Sequence, residues 1–104
     1  ERNALLDIVT HYWMTNTGGS SAKLYWESFT EADYRPIALP IGISIFPKEL
    51  FVCTERLART RYQQLVTFND QHAAGGHFAS LEQPEALVSD IRAWRSALQE
   101  QELI

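Results

Sequence analysis

A chain of 104 residues, 45% of them hydrophobic and 12% aromatic, supports one small core and is too apolar to be intrinsically disordered. Nine Lys+Arg against thirteen Asp+Glu leave a net charge of −4 with no basic run, which argues against nucleic-acid binding. The single cysteine, Cys53, excludes an internal disulfide and a multi-cysteine zinc site, and no apolar run approaches the roughly 20 residues of a spanning helix. The expected setting is cytoplasmic. The chain opens Glu1-Arg2-Asn3, without an initiator Met or an apolar signal core, so a segment of a longer protein is expected.

Asn3 is placed to cap a first helix from Ala4, with Leu5, Ile8, Val9 and Tyr12 on one stripe. That helix should end near Asn16, where Asn-Thr-Gly-Gly removes helix propensity. Ser20 or Ser21 is expected to cap a second, short helix through Glu27. Ser28 to Pro36 turns polar and reads as a connector. Ala38–Phe46 is a near-continuous apolar run rich in Ile, the pattern of a parallel strand buried on both faces, and Pro47 ends it. Thr54 should cap a helix through Tyr62 that turns Leu57, Ala58 and Tyr62 to one side. Gln64–Asn69 alternates and is rich in β-formers, so it reads as a second strand. A loop ending in Gly-Gly follows. Pro84 then opens a helix with Leu87, Ile91, Trp94 and Leu98 on one face.

The order α, α, β, α, β, α points to an α/β fold with parallel strands. Two strands alone do not make a sheet covered on both faces. The expected architecture is therefore the C-terminal part of a larger α/β fold.

The sharpest chemical feature is Gly75-Gly76-His77-Phe78. A His on a Gly-rich turn just after a parallel strand lies at the carboxyl edge of the sheet, where open α/β folds place their sites. It can serve as a general base there, although a loop histidine with a satisfied hydrogen bond fits the same position. Glu49 follows the first strand, 28 residues before His77, so both should emerge at one edge. A carboxylate there can fix the imidazole tautomer; it can also simply sit at a helix start. His72 and His77 lie close together without a third ligand nearby, so no metal site is expected. Cys53 lacks a base nearby in sequence and reads as a small packing residue, His11 as a helix-surface residue, and Trp13, Trp26 and Trp94 as packing.

Phe46-Pro47-x-Glu49-Leu50, then Gly75-Gly76-His77-Phe78-Ala79-x-Leu81-Glu82-x-Pro84-Glu85, then Leu87-Val88-x-Asp90-Ile91-Arg92 resemble the C-terminal end of α/β-hydrolase-fold epoxide hydrolases of the microsomal and juvenile-hormone type. Tyr12-Trp13 and Ser20-Ser21-Ala22-Lys23-Leu24-Tyr25-x-Glu27 resemble the last part of that family's lid. The resemblance assigns 1–36 to the end of the helical lid and a connector, and 37–104 to the C-terminal part of the hydrolase core. It implies hydrolysis of an epoxide to a vicinal diol through a covalent ester on an Asp. Two lid tyrosines protonate the epoxide oxygen, and a His oriented by an acid activates water. It places the base on His77, the orienting acid on Glu49 and one proton donor on Tyr25. It implies a small-molecule epoxide and water as partners, an upstream half of the same fold, and no metal or organic cofactor. A homodimer is left open.

The chain departs from that pattern. Asp7, Asp33, Asp70 and Asp90 all lack a nucleophile-elbow frame, and the His-Gly-x-Pro oxyanion loop is absent. Pro40-Ile41-Gly42 replaces Pro-Thr-Gly, Ala73-Ala74 replaces a more polar pair, and Leu57 stands for Trp. The first two departures imply that these 104 residues do not run the reaction unaided. Two rivals remain at this level: another α/β-hydrolase such as an esterase or dehalogenase, or an inactive truncated remnant.

Overall fold

The computed structural model describes residues 2–28 and 35–104, and the body of the expected connector, 29–34 with Asp33, lies outside the described residues. The chain divides into two compact units, residues 1–34 and 35–104.

The first unit holds α1 (Arg2–Thr15) and α2 (Gly18–Ser28). α1 already includes Asn3, so Asn3 is a residue of the first turn and not its cap. Asn16 ends α1 in the left-handed region at φ 52°. Its N–H donates to Trp13 O, and the Thr17 N–H donates to Tyr12 O, each at 3.3 Å. This paired pattern closes a helix with a residue that tolerates positive φ, as Asn does. α2 then starts at Gly18, before either serine expected to cap it. The Ser20 hydroxyl instead donates back to Thr17 O at 3.1 Å, and Ser21 to Gly18 O at 2.8 Å. Inside a helix a serine side chain points back along the preceding turn, which brings its hydroxyl to a carbonyl three or four residues earlier.

The second unit is a mixed α/β arrangement of β1 (Ile37–Ser44), α3 (Glu55–Arg61), β2 (Tyr62–Asn69), α4 (Ala79–Glu82) and α5 (Pro84–Glu100). β1 and β2 pair in parallel, running from Ile37 opposite Tyr62 to Ser44 opposite Asn69. The register is irregular on either side of Pro40 and Ile41, as expected where a proline lacks a ladder N–H. The Thr54 side chain caps α3 by accepting from Leu57 N. α3 ends one residue earlier than expected, and Tyr62 already belongs to β2. Ala58 is buried on that helix while Leu57 is exposed. The sequence carries no separate signal for the one-turn α4, whose turn is closed by Glu82, the carboxylate accepting from the Phe78 N–H at 3.1 Å. α5 starts at Pro84, as its first-turn proline implied, and lies against both strands.

Phe46, Ala58, Leu65 and Leu98 are the buried apolar residues among those described. β1 is not buried on both faces as its composition suggested: Ala38 and Gly42 are exposed, and Leu39 is 71% exposed. The reason is geometric. A parallel strand is enclosed only when strands flank it and helices cover both faces, and the described residues supply one strand neighbour.

Candidate active site

Beyond the last paired residues of β1 and β2 the two chains separate and meet again. Lys48 and Gly76 form an isolated parallel bridge, and the Lys48 N–H donates to Gly75 O at 2.9 Å. The next residue on each side is Glu49 and His77. Their side chains meet at 2.7 Å between Glu49 Oε1 and His77 Nδ1. A backbone bridge at the carboxyl edge of the parallel pair thus delivers the two side chains to each other.

The two glycines make this approach possible for different reasons. Gly75 has φ +100°, and a Cβ there would lie 2.7 Å from a ring carbon of the buried Phe46. At Gly76 a Cβ would stand 2.7 Å from Lys48 O, a backbone atom that cannot swing away. Gly76→Ala is therefore expected to open the Lys48 bridge and cost about 1–3 kcal/mol, the usual range for overpacking a close contact. A lowered urea midpoint measures that cost, and an unchanged midpoint would show that the bridge yields freely.

Glu49 is partly covered, with its side chain 27% exposed, against 56% for His77. The His77 imidazole and the Leu50 N–H, at 2.7 Å from Glu49 Oε1, hold the Glu49 carboxyl below its ordinary range. At neutral pH it is therefore an anion, and hence a pure acceptor. An ionised acceptor at Nδ1 requires that nitrogen to carry the proton, which leaves the lone pair on Nε2. The pair can thus do what an oriented imidazole does: take a proton at Nε2 while the carboxylate stabilises the resulting cation.

Among curated proteins, the chain is 33% identical over 103 residues to "Epoxide hydrolase 1" of Sus scrofa, a match covering 93% of this chain and 22% of that protein. It is 38% identical over 93 residues to "Juvenile hormone epoxide hydrolase 1" of Ctenocephalides felis, covering 84% and 20%. A provisionally named epoxide hydrolase of Stigmatella aurantiaca is 38% identical over 92 residues, covering 88% and 21%. The chain is homologous to the epoxide hydrolases, microsomal and juvenile-hormone types included. It spans about a fifth of the length of these epoxide hydrolase relatives. No family model matches it, and no solved structure matches it significantly.

Of the three residues singled out by the resemblance to epoxide hydrolases, the structure brings two together, His77 and Glu49. Tyr25 lies on α2 in the first unit, with its side chain exposed. Among the described residues no group of three or more His, Cys, Asp or Glu side chains could hold a metal ion, and no helix is long and apolar enough to cross a membrane.

Sequence reasoning missed a second His–carboxylate pair. His72 Nε2 lies 2.7 Å from Asp90 Oδ2, with side chains only 9% and 17% exposed. Asn69 donates to Asp90 Oδ1 at 2.8 Å, and Ser44 also bonds this carboxylate. Burial pushes the Asp90 carboxyl up, but the hydrogen bonds from Ser44, Asn69 and His72 outweigh it and hold the group below its ordinary range. In the sequence Asp90 is a residue of the Leu87–Arg92 motif without a nucleophile frame, and His72 is half of an incomplete ligand set. No periodicity links residues 72 and 90, so only the fold could pair them.

Proposed function

We propose that the chain is part of an epoxide hydrolase that converts small-molecule epoxides to vicinal diols with water. In this reading 1–36 is the end of the helical lid with its connector, and 37–104 is the C-terminal part of an α/β-hydrolase core. An Asp outside these 104 residues opens the epoxide and becomes an ester. Tyr25 gives its phenolic proton to the developing alkoxide. His77 Nε2 then takes a proton from water, the hydroxide attacks the ester carbonyl, the diol leaves as the Asp carboxylate is regenerated, and the proton held on His77 returns by way of water to the Tyr25 phenolate. Glu49 stabilises the imidazolium and transfers no proton.

The observation that carries the reading is the 2.7 Å Glu49–His77 pair at the strand ends of a chain homologous to epoxide hydrolases. The exposed Leu39, Phe51 and Leu57 support a core that further polypeptide covers. The test is the product formed by the full-length protein from an epoxide, analysed beside an ester and a haloalkane. Diol formation is expected, while carboxylate or halide release without diol would move the chain to another hydrolase class.

Glu49→Gln separates the acid's role from a helix-start role. The hydrolytic step is expected to slow roughly 10²- to 10⁴-fold, because the base remains but loses the group that fixes its tautomer and stabilises its cation. Melting temperature should change little, since half-exposed pairs contribute little to stability. Glu49→Asp keeps the charge and should retain more activity than Gln. A normal hydrolytic rate with a lowered melting temperature would make Glu49 a structural residue.

A further inference from the structure

We infer that His72 and Asp90 are positioning residues that clamp the loop between β2 and His77 and so hold the Lys48–Gly76 bridge on which the Glu49–His77 pair stands. The inference rests on His77 acting as the base.

Asp90 on α5 gathers three elements at the carboxyl edge of the sheet. Ser44, the last residue of β1, and Asn69, the last of β2, both bond it, and they face each other in the strand register. His72 bonds the other carboxylate oxygen from within the loop. A carboxylate only accepts, so His72 Nε2 carries the hydrogen of that bond. Asn69 Nδ2, 3.2 Å from the same ring nitrogen, therefore gives its hydrogen to Asp90. Asn69 Oδ1 meanwhile accepts from Gln71 N at 3.1 Å, which turns the chain out of the strand.

The clamp reaches the active pair through packing. The His72 ring lies flat on Phe46, with centroids 4.1 Å apart and planes 4° apart. Phe46 is buried and walls the space beside Gly75, whose carbonyl accepts the Lys48 N–H. From Asp90 the order of contact is His72, Phe46, Gly75, then the Lys48–Gly76 bridge and the Glu49–His77 pair. With His72 released, the loop loses its hydrogen bond to Asp90 on α5, and the imidazole of His77 loses its fixed distance from Glu49.

The test uses the full-length protein and two readouts: amide hydrogen exchange at Lys48, and single-turnover rates of ester formation and ester hydrolysis. His72→Phe keeps the flat ring on Phe46 and removes the bond to Asp90. Lys48 exchange should accelerate while amides within β2 and α5 exchange as before. Ester hydrolysis should slow about tenfold to a hundredfold, the scale for misplacing a reacting group by about an ångström, with ester formation unchanged. Asp90→Asn, which turns one acceptor into a donor against three donors, should act in the same direction. His72→Gln, whose amide can still donate to Asp90, should recover part of both losses.

Unchanged Lys48 exchange in both His72→Phe and Asp90→Asn overturns the clamp, as does faster exchange with undiminished hydrolysis. If the variants do not fold, the unaltered protein decides: the Gln71 and Lys48 amides should exchange through one shared opening, and separate openings overturn the clamp. Lys48 exchange needs no turnover. Failure of the base assignment, seen as normal ester hydrolysis in His77→Gln, is thereby distinguished from failure of the clamp.

Discussion

Replacing His77 by glutamine is expected to stop the full-length enzyme half-way through its reaction. Ester formation needs the upstream Asp and the tyrosine proton donors, neither of which His77 touches in the proposed mechanism. Ester hydrolysis needs water deprotonated at the imidazole, and Gln has no lone pair of comparable basicity to offer. Loss of a general base typically lowers the rate by roughly 10²–10⁴. The covalent ester should therefore accumulate, visible by intact mass as one added substrate per chain. Folding should hardly change, because His77 is half-exposed and Gln can still bond Glu49. A variant that turns over at the unmodified rate removes His77 from the base role.

Tyr25→Phe is expected to act on the other step. It deletes one hydroxyl and leaves the ring, so what α2 presents to its surroundings is nearly preserved. The developing alkoxide then loses one proton donor. Loss of a single oxyanion donor can reach about 10²–10³ in rate, and a second lid tyrosine should hold the effect at or below that range. Single-turnover ester formation should slow and ester hydrolysis should not. An unchanged rate of ester formation would leave Tyr25 as a packing residue. Together the two variants divide the reaction: one accumulates the intermediate, the other delays it.

Several features of this chain are written locally and could be read without a fold. α5 is set by a proline with no N–H to lose and by apolar residues returning every three to four positions. The cap of α3 is a threonine whose hydroxyl reaches three residues ahead. The parallel order of β1 and β2 follows from a helix between two β-rich runs. From those strands the spacing of Glu49 and His77 already placed both at one sheet edge.

Tertiary structure decided the rest, because the interactions concerned join residues that no local signal connects. The serines of α2 look like caps, but which N–H groups are free depends on where the preceding helix closes, and that was settled by Asn16 adopting positive φ. β1 has the composition of an enclosed strand, yet enclosure belongs to neighbours and not to the strand. Gly75 and Gly76 read as a Gly-rich turn; in the fold one supplies a positive φ beside Phe46 and the other admits the Lys48 carbonyl. Asp90 is one more polar residue on an amphipathic helix until the ends of β1 and β2 and the His72 loop converge on it. Composition and periodicity determine which elements form, since those depend on backbone bonds and neighbours a few residues away. Which carboxylate meets which histidine depends on chain segments 18 and 28 residues apart arriving at one place, and packing alone arranges that.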